Sequence, residues 1–112
     1  MEYLPFRIAG RDFVVDASRV RAIVPFERSP KPHAIPVVDL RKRLGLPNVA
    51  YGRRPFLVVL DAASFVADYV SDITKGSDKD RRGGKLRAHG RPRWILDADS
   101  LLIAETPALA SS

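Results

Sequence analysis

The chain has 112 residues, a length that suits one domain, and its apolar fraction of 46% is enough for a packed core. It contains no cysteine, which excludes disulfides, thiol catalysis and cysteine-ligated metals. No apolar run approaches the roughly 20 residues that a membrane span needs, and the N-terminus lacks the basic and apolar regions of a signal peptide. We therefore expect a cytoplasmic protein.

The net charge of +6 belongs to one segment. Residues 79–93 hold seven basic residues and one acid, whereas the rest of the chain holds equal numbers of basic and acidic residues. A fold that is basic throughout is therefore excluded, and any electrostatic function is expected to use this segment.

The first predicted elements are two short strands, Phe6–Ala9 and Phe13–Asp16, separated by Gly10-Arg11-Asp12. Apolar alternation on both sides of a glycine-containing turn is typical of a β-hairpin. The next apolar cluster, Val20, Ile23 and Val24, indicates either a third strand or the end of a brief helical turn that Asp16 or Ser18 could cap. We favour a strand that runs through Pro25 and Phe26, followed by a proline-containing loop over 27–33.

The stretch Ile35–Leu46 predicts a strand followed by a short helix. Pro36 cannot donate to a ladder and is expected at a strand start or on an edge. Asp39 is suited to cap a helix, Leu40 and Leu44 share a face at a spacing of four, and the next residue is a glycine that ends the helix.

Three segments follow that are predicted from composition. Phe56–Leu60 is a continuous apolar run of strand length, which predicts a strand buried on both faces. Phe65–Ile73 is rich in β-branched and aromatic residues and is predicted as one strand. Thr74–Gly84 has three glycines and six charges, and we expect a mobile loop.

The last predicted elements are a hairpin and a helix. Residues 85–89 and 93–97 flank Gly90-Arg91-Pro92, and Asp97 or Asp99 is expected to cap a short helix over Ser100–Ile103. Residues 106–112 read as a flexible tail of small residues. About eight or nine short strands with few helical segments predict an all-β fold, either one barrel or a pair of small barrels.

Five of these segments, in this order, resemble the CheW-like chemotaxis adaptor domains. The stretch Ile35-Pro36-Val37-Val38-Asp39-Leu40-Arg41 is the most diagnostic. The other four are the opening hairpin, Val20–Ile23, Ala67–Ile73 and Trp94–Leu102.

The resemblance implies a single CheW-like domain over 1–105, built from two SH3-like barrels side by side with one or two short helices. The approximate subdomains would be residues 1–50 together with 85–105, or residues 51–105. It also implies a non-enzymatic, cytoplasmic adaptor or scaffold in bacterial chemosensory signal transduction. Its partners would be a chemoreceptor cytoplasmic tip, a CheA-type histidine kinase, or both. The protein-interaction residues that the resemblance implies are Val20, Arg21, Ile23, Val37 and Arg41.

This sequence departs from the family pattern before the diagnostic stretch. The family has a long segment there with an Asn-Leu-Arg-Gly strand, whereas this chain has only Phe26–Ala34 without that motif. The first barrel is therefore expected to be abbreviated. An unpaired strand edge would need covering, and a second copy in a homodimer is one way to cover it.

The alternative hypothesis is a small basic β-barrel that binds nucleic acid or an acidic partner through residues 79–93. The residues that would do so are Arg81, Arg82, Lys85, Arg87, Arg91 and Arg93. A solvated hairpin with basic flanks is the favoured interpretation of this segment, because Trp94-Ile95-Leu96 directly follows it and reads as a core strand, so nucleic acid is not the expected partner.

No catalytic, cofactor or metal site is predicted. His33 and His89 are far apart in sequence, each beside a proline or glycine, and are expected at the surface. Asp97 and Asp99 are expected to cap a helix rather than bind a cation. No nucleophile, base and orienting group are visible together, so the chain is not expected to be an enzyme.

Overall fold

The computed structural model describes residues 1–26 and 36–103. The predicted loop over 27–33 and the predicted tail over 106–112 lie outside this part. Within it the chain forms twelve strands and one short α-helix. In chain order these are β1 (Glu2–Ile8), β2 (Arg11–Asp16), β3 (Ala22–Pro25), β4 (Val37–Val38), α1 (Leu40–Arg43), β5 (Phe56–Val59), β6 (Ser64–Ala67), β7 (Tyr69–Val70), β8 (Thr74–Lys75), β9 (Arg81–Arg82), β10 (Lys85–Ala88), β11 (Arg91–Asp97) and β12 (Leu102–Ile103).

The strands form two sheets, which confirms the all-β prediction. The first sheet has eight strands in the order β7-β1-β2-β11-β10-β9, with β8 beside β1 and β12 beside β11. The second has four strands in the order β3-β5-β6-β4. Over the described residues both sheets are open at their ends, so the two predicted barrels are present as two open sheets rather than closed cylinders.

Two of the hairpins have two-residue turns whose backbone explains their sequences. Ala9 and Gly10 connect β1 to β2 with φ of 51° and 76°, and His89 and Gly90 connect β10 to β11 with φ of 51° and 75°. Two consecutive positive φ angles define the turn type that matches the twist of paired strands, and glycine tolerates them without strain. Both predicted hairpins are confirmed, but each turn precedes its predicted position because Gly10 and Gly90 end their turns.

The main core lies between the two sheets. Phe6 of the first sheet stacks on Phe13, with 5.5 Å between ring centroids, and packs on Phe65 of the second sheet at 4.8 Å. Leu40 and Leu44 complete this cluster from α1 and the residue after it, as their spacing predicted. Burial of these rings joins the sheets into one folding unit.

A second, smaller core covers the opposite face of the first sheet. It consists of Tyr3, Val14, Leu86, Ala88 and Ile95. Gly76 lies against it: a Cβ added there would sit 2.8 Å from Leu86 and 2.9 Å from Tyr3. The chain after β8 can close over this cluster only because residue 76 has no side chain.

The stretch Pro36–Leu44 folds as predicted. Pro36 precedes β4, an edge strand, and its carbonyl accepts a hydrogen bond from the Ser64 backbone N–H at 2.8 Å. The Asp39 side chain accepts from the Arg41 backbone N–H at 3.0 Å and caps α1.

Two predictions in the second half are wrong. Residues 74–84 form β8, a 3-10 turn over Asp78–Asp80 and β9, rather than a mobile loop. The backbone explains this order, because the Gly76 N–H donates to the Met1 carbonyl and β8 pairs with β1. The predicted helix over Ser100–Ile103 is a turn followed by β12, since Leu102 and Ile103 pair with β11.

The predicted strand over Phe65–Ile73 is divided between the two sheets. Its first part is most of β6 in the second sheet, and its later residues 69–70 form β7 in the first. The break occurs at Asp68, whose carboxylate accepts hydrogen bonds from the Ala9 and Gly52 backbone N–H groups. A side chain that satisfies two separate backbone donors fixes the point where the chain passes from one sheet to the other.

Candidate partner-binding site

The register of the second sheet assigns each side chain to one of two faces. Paired residues share a face, so Ile23 lies beside Val58, Phe65 and Val38 on the face that packs on the first sheet. Val24, Leu57 and Val66 lie on the opposite face, which we call the outer face of the second sheet. Val37 shares this outer face with Ser64.

The outer face is apolar and incompletely buried. Leu57 and Val66, in its centre, are only 3% and 4% exposed, but Val24 and Val37, on the two edge strands, are 41% and 42% exposed. The apolar area that this face leaves open therefore lies at its two edges.

Ile23 and Arg21 lie together at the β3 edge. Ile23 is 39% exposed although it points toward the core face, because β3 is an edge strand. Arg21 bonds through Nε to the Asp61 carboxylate, and Asp61 also lies 3.5 Å from Arg19 Nε. The hydrogen bond from Arg21 lowers the pKa of Asp61, so this exposed pair is charged at neutral pH.

Val20 and Arg41, also predicted as contact residues, are engaged by the fold. Val20 is half-buried against the main core. Arg41 donates to Asp39 at 3.1 Å and to the Val49 carbonyl, and its guanidinium lies 4.0 Å from the centre of the Tyr51 ring. The hydrogen bond from Arg41 lowers the pKa of Asp39, whereas burial raises the pKa of Tyr51. Arg41 therefore connects α1 to the loop before β5.

The five predicted contact residues do not form one patch. Arg21 and Ile23 are at one edge of the second sheet, and Val37 is at the other edge and on the other face. Two strands lie between them, a separation of about 14 Å at the usual strand spacing. Val24 was not among the predicted residues. The sequence signal that could have identified Val24 is the proline that follows it, because a proline in a strand indicates an edge strand, and residues of an edge strand are more exposed.

The β3 edge offers little to a pairing strand. The Phe26 N–H donates to the Pro55 carbonyl, so by alternation Val24 and Ala22 also direct their polar groups toward β5. The backbone polar groups of Ile23 and Pro25 point away from β5, and Pro25 has no N–H. The outward edge of β3 therefore presents a single N–H donor, a device that discourages edge-to-edge association.

Strand alternation divides the basic segment between two faces of the first sheet. Arg93 is buried, donates to the Ala88 carbonyl at 3.1 Å and pairs with Asp12 at 3.3 Å. Arg91 pairs with the same carboxylate at 3.7 Å. Lys85 and Arg87 lie on the other face, where the Lys85 ammonium is 4.3 Å from the centre of the Trp94 ring. Arg81 and Arg82 form β9. The predicted nucleic-acid residues are therefore not a continuous surface.

The described residues among the histidines and aspartates singled out in the sequence each make a local structural contact. His89 Nε2 is 3.4 Å from the Asp72 carbonyl in an exposed turn, and His33 lies outside the described residues. Asp97 accepts from the Asp99 N–H at 3.0 Å and orders the turn before β12, and Asp99 pairs with Arg19. In residues 1–26 and 36–103 no three histidine or acidic side chains are grouped as metal ligands are.

Comparisons with known proteins give a match in structure and none in sequence. No protein-family model and no curated protein matches the sequence. The fold is similar to the crystal structure of the scaffolding protein TtCheW from Thermoanaerobacter tengcongensis, with a TM-score of 0.67 and 14% identity. The similarity covers 84% of this chain and 86% of that one. Among the described residues no helix is long and apolar enough to cross a membrane. The structural similarity over most of both chains shows that this chain has the CheW-like fold.

Proposed function

We propose that this protein is a non-enzymatic CheW-like adaptor in bacterial chemosensory signalling. It would link the cytoplasmic tip of a chemoreceptor to a CheA-type histidine kinase or a divergent equivalent, in the cytoplasm. The observation that carries the proposal is the structural match to a CheW scaffolding protein over most of both chains. The sequence resemblance from the opening hairpin to Leu102 supports it independently.

Two surfaces of the second sheet are proposed to contact the partners. The first is the β3 edge, with Arg21 and Ile23, and the second is the outer face, with Val24 and Val37. Exposed branched side chains supply apolar area, and Arg21 supplies a charge at the rim, which is the usual composition of a protein interface. Val20 and Arg41 are assigned an indirect role: they fix the positions of β3 and α1.

Capture assays test the proposal. The purified chain is expected to retain a CheA-type kinase and a chemoreceptor tip fragment from its own genome. Ile23→Asp and Val37→Asp each place a charge on one proposed surface, and at least one is expected to reduce capture about tenfold or more. Val20→Asp is a poor probe because Val20 packs against the core and its replacement would also destabilise the fold.

The matched control is Ile73→Asp. Ile73 is an exposed apolar residue next to β8 in the first sheet, so its substitution adds the same charge away from the proposed surfaces. Equal loss of capture in all three variants would assign the effect to net charge. Failure of the folded wild-type chain to retain either partner would contradict the adaptor proposal.

A homodimer through a strand edge stays a prediction. Pairing of β3 with a second copy would gain few backbone hydrogen bonds, since Pro25 removes one outward donor. Sedimentation equilibrium of wild type and Ile23→Asp tests it. A dimer that is lost in the variant would support the edge as the contact, and a monomer at all concentrations would exclude it.

A further inference from the structure

A cavity of about 550 Å³ lies beside β10 and is lined mainly by cations. Its walls are Lys79, Asp80, Lys85, Arg87 and Pro92. Lys85 and Arg87 alternate along β10 and therefore share one face, and Pro92 is the partner of Arg87 in the ladder. Lys79 reaches the same cavity from the 3-10 turn before β9. Three of the seven basic residues of the segment thus converge on one space.

The three cations of this cavity, Lys79, Lys85 and Arg87, form no ion pair with an acid whose side chain the structure describes. Asp80 is the one acid among the wall residues whose side chains the structure describes, and its carboxylate accepts hydrogen bonds from the Ser77 N–H and hydroxyl, each at 3.1 Å. The basic residues on the opposite face differ, because Arg91 and Arg93 share Asp12. Lys79, Lys85 and Arg87 therefore bring positive charge to this cavity.

The surroundings favour carboxylates over nucleobases. Proteins that hold single-stranded nucleic acid stack bases on open aromatic faces. Here Lys85 covers the ring of Trp94, the aromatic side chain beside Lys85 on this face. Arg87 offers the planar donors that fit a carboxylate, and the lysines add charge. We propose that this cavity binds an acidic segment of a protein, with two or more neighbouring glutamate or aspartate side chains on Arg87, Lys85 and Lys79.

The experiment uses the single tryptophan as a reporter. Trp94 is in contact with Lys85, so a carboxylate that binds Lys85 is expected to change its fluorescence. A hexaglutamate peptide with blocked ends is titrated into the full chain at low salt, with hexaglutamine as the uncharged control. We expect a saturable change with hexaglutamate that weakens as salt rises, and none with hexaglutamine.

Arg87→Gln is the test variant and Arg43→Gln the matched control, since Arg43 is an exposed cation on α1 near the second sheet. We expect Arg87→Gln to weaken hexaglutamate binding about fivefold, and Arg43→Gln to leave it unchanged. Equal weakening by both variants would show a response to net charge only and overturn the site. So would the absence of saturable binding by fluorescence and calorimetry. Tighter binding of an oligothymidylate with the same charge would overturn the assignment to a protein segment.

This inference is separate from the adaptor proposal. It concerns the first sheet, and its test requires neither receptor nor kinase. The capture assay can fail while hexaglutamate binds, and the reverse can also occur, so the two results distinguish the two claims.

Discussion

The two sheets differ in what covers the face that each turns away from the other, and on the first sheet the exposed apolar residues Tyr69 and Ile73 lie in or beside its short strands β7 and β8. The first sheet packs one face on the second sheet and covers the other with a separate small core. The second sheet packs one face in the same way, but its outer face ends in two valines that are about two-fifths exposed. Apolar area that folding does not bury is available for association. We therefore expect substitutions in the first sheet to change mainly the stability of the fold, and substitutions on the outer face of the second sheet to change mainly partner binding.

The largest expected effect comes from the ring that joins the sheets. Phe6→Ala removes a fully buried side chain that contacts Phe13 and Phe65, and we expect a loss of about 3–5 kcal/mol in the free energy of unfolding. Urea denaturation followed by circular dichroism measures it. Two separate unfolding transitions in the wild type, only one of them shifted by Phe6→Ala, would show that the sheets fold independently.

The second prediction tests the small core of the first sheet. Gly76→Ala places a Cβ less than 3.0 Å from Leu86 and Tyr3, so neighbouring side chains must shift, at a cost of about 1–3 kcal/mol. Gly52→Ala is the control, because its nearest atoms would be 3.9 Å from the new Cβ. We expect that control to change stability by less than about 0.5 kcal/mol. Similar effects at the two sites would contradict the close packing at Gly76.

The third prediction concerns the cap of α1. Asp39→Ala removes both the cap and the partner of Arg41, and we expect a loss of about 1 kcal/mol. Asp39→Asn can still cap the helix but cannot form the ion pair, and should lose less. Thermal unfolding compares the two variants. A larger loss in Asp39→Asn than in Asp39→Ala would contradict the assignment of the cap.

The ion pair at Asp39 also predicts a dependence on pH. The hydrogen bond from Arg41 lowers the pKa of Asp39 below its value of 3.8 in an unfolded chain. The pair therefore stabilises the fold fully above pH 3.8, and this contribution is lost as the pH falls through the lower pKa of the folded state. The stability difference between wild type and Asp39→Asn should shrink below pH 3.8 and stay constant at neutral pH. A difference that grows on acidification would contradict this account.

The smallest effect on stability is expected on the outer face of the second sheet. Val24→Ser changes an exposed residue and should alter the free energy of unfolding by less than about 0.5 kcal/mol. The same substitution is expected to weaken partner capture, because it removes exposed apolar area. If Val24→Ser destabilises the fold strongly and leaves capture intact, the separation of roles between the sheets is wrong.

The parts of the fold that the sequence predicted well were governed by local rules. The cap at Asp39, the spacing of Leu40 and Leu44 and the hairpins at Gly10 and Gly90 depend on neighbouring residues. The segment over 74–84 was misassigned because its order depends on pairing with β1, which is distant in sequence. Composition alone made its glycines and charges look like a mobile loop.

The candidate site was harder to predict because strand alternation and sheet position decide which residues are exposed. The sequence predicts Arg41 as a contact residue for a partner, but its side chain is held by Asp39 and packs on Tyr51. Val24 was missed because its exposure follows from the position of β3 at a sheet edge. The sequence predicts the basic segment as one surface, whereas the ladder between β10 and β11 places Arg93 and Lys85 on opposite faces of the sheet.

Hydrogen exchange of backbone amides, with and without a CheA-type kinase and a receptor tip, tests the adaptor role most directly. If the protein is an adaptor that binds through its second sheet, exchange should slow in β3, β4 or the adjoining loops when the partners are present. Unchanged exchange throughout the folded chain at saturating partner concentrations would contradict it.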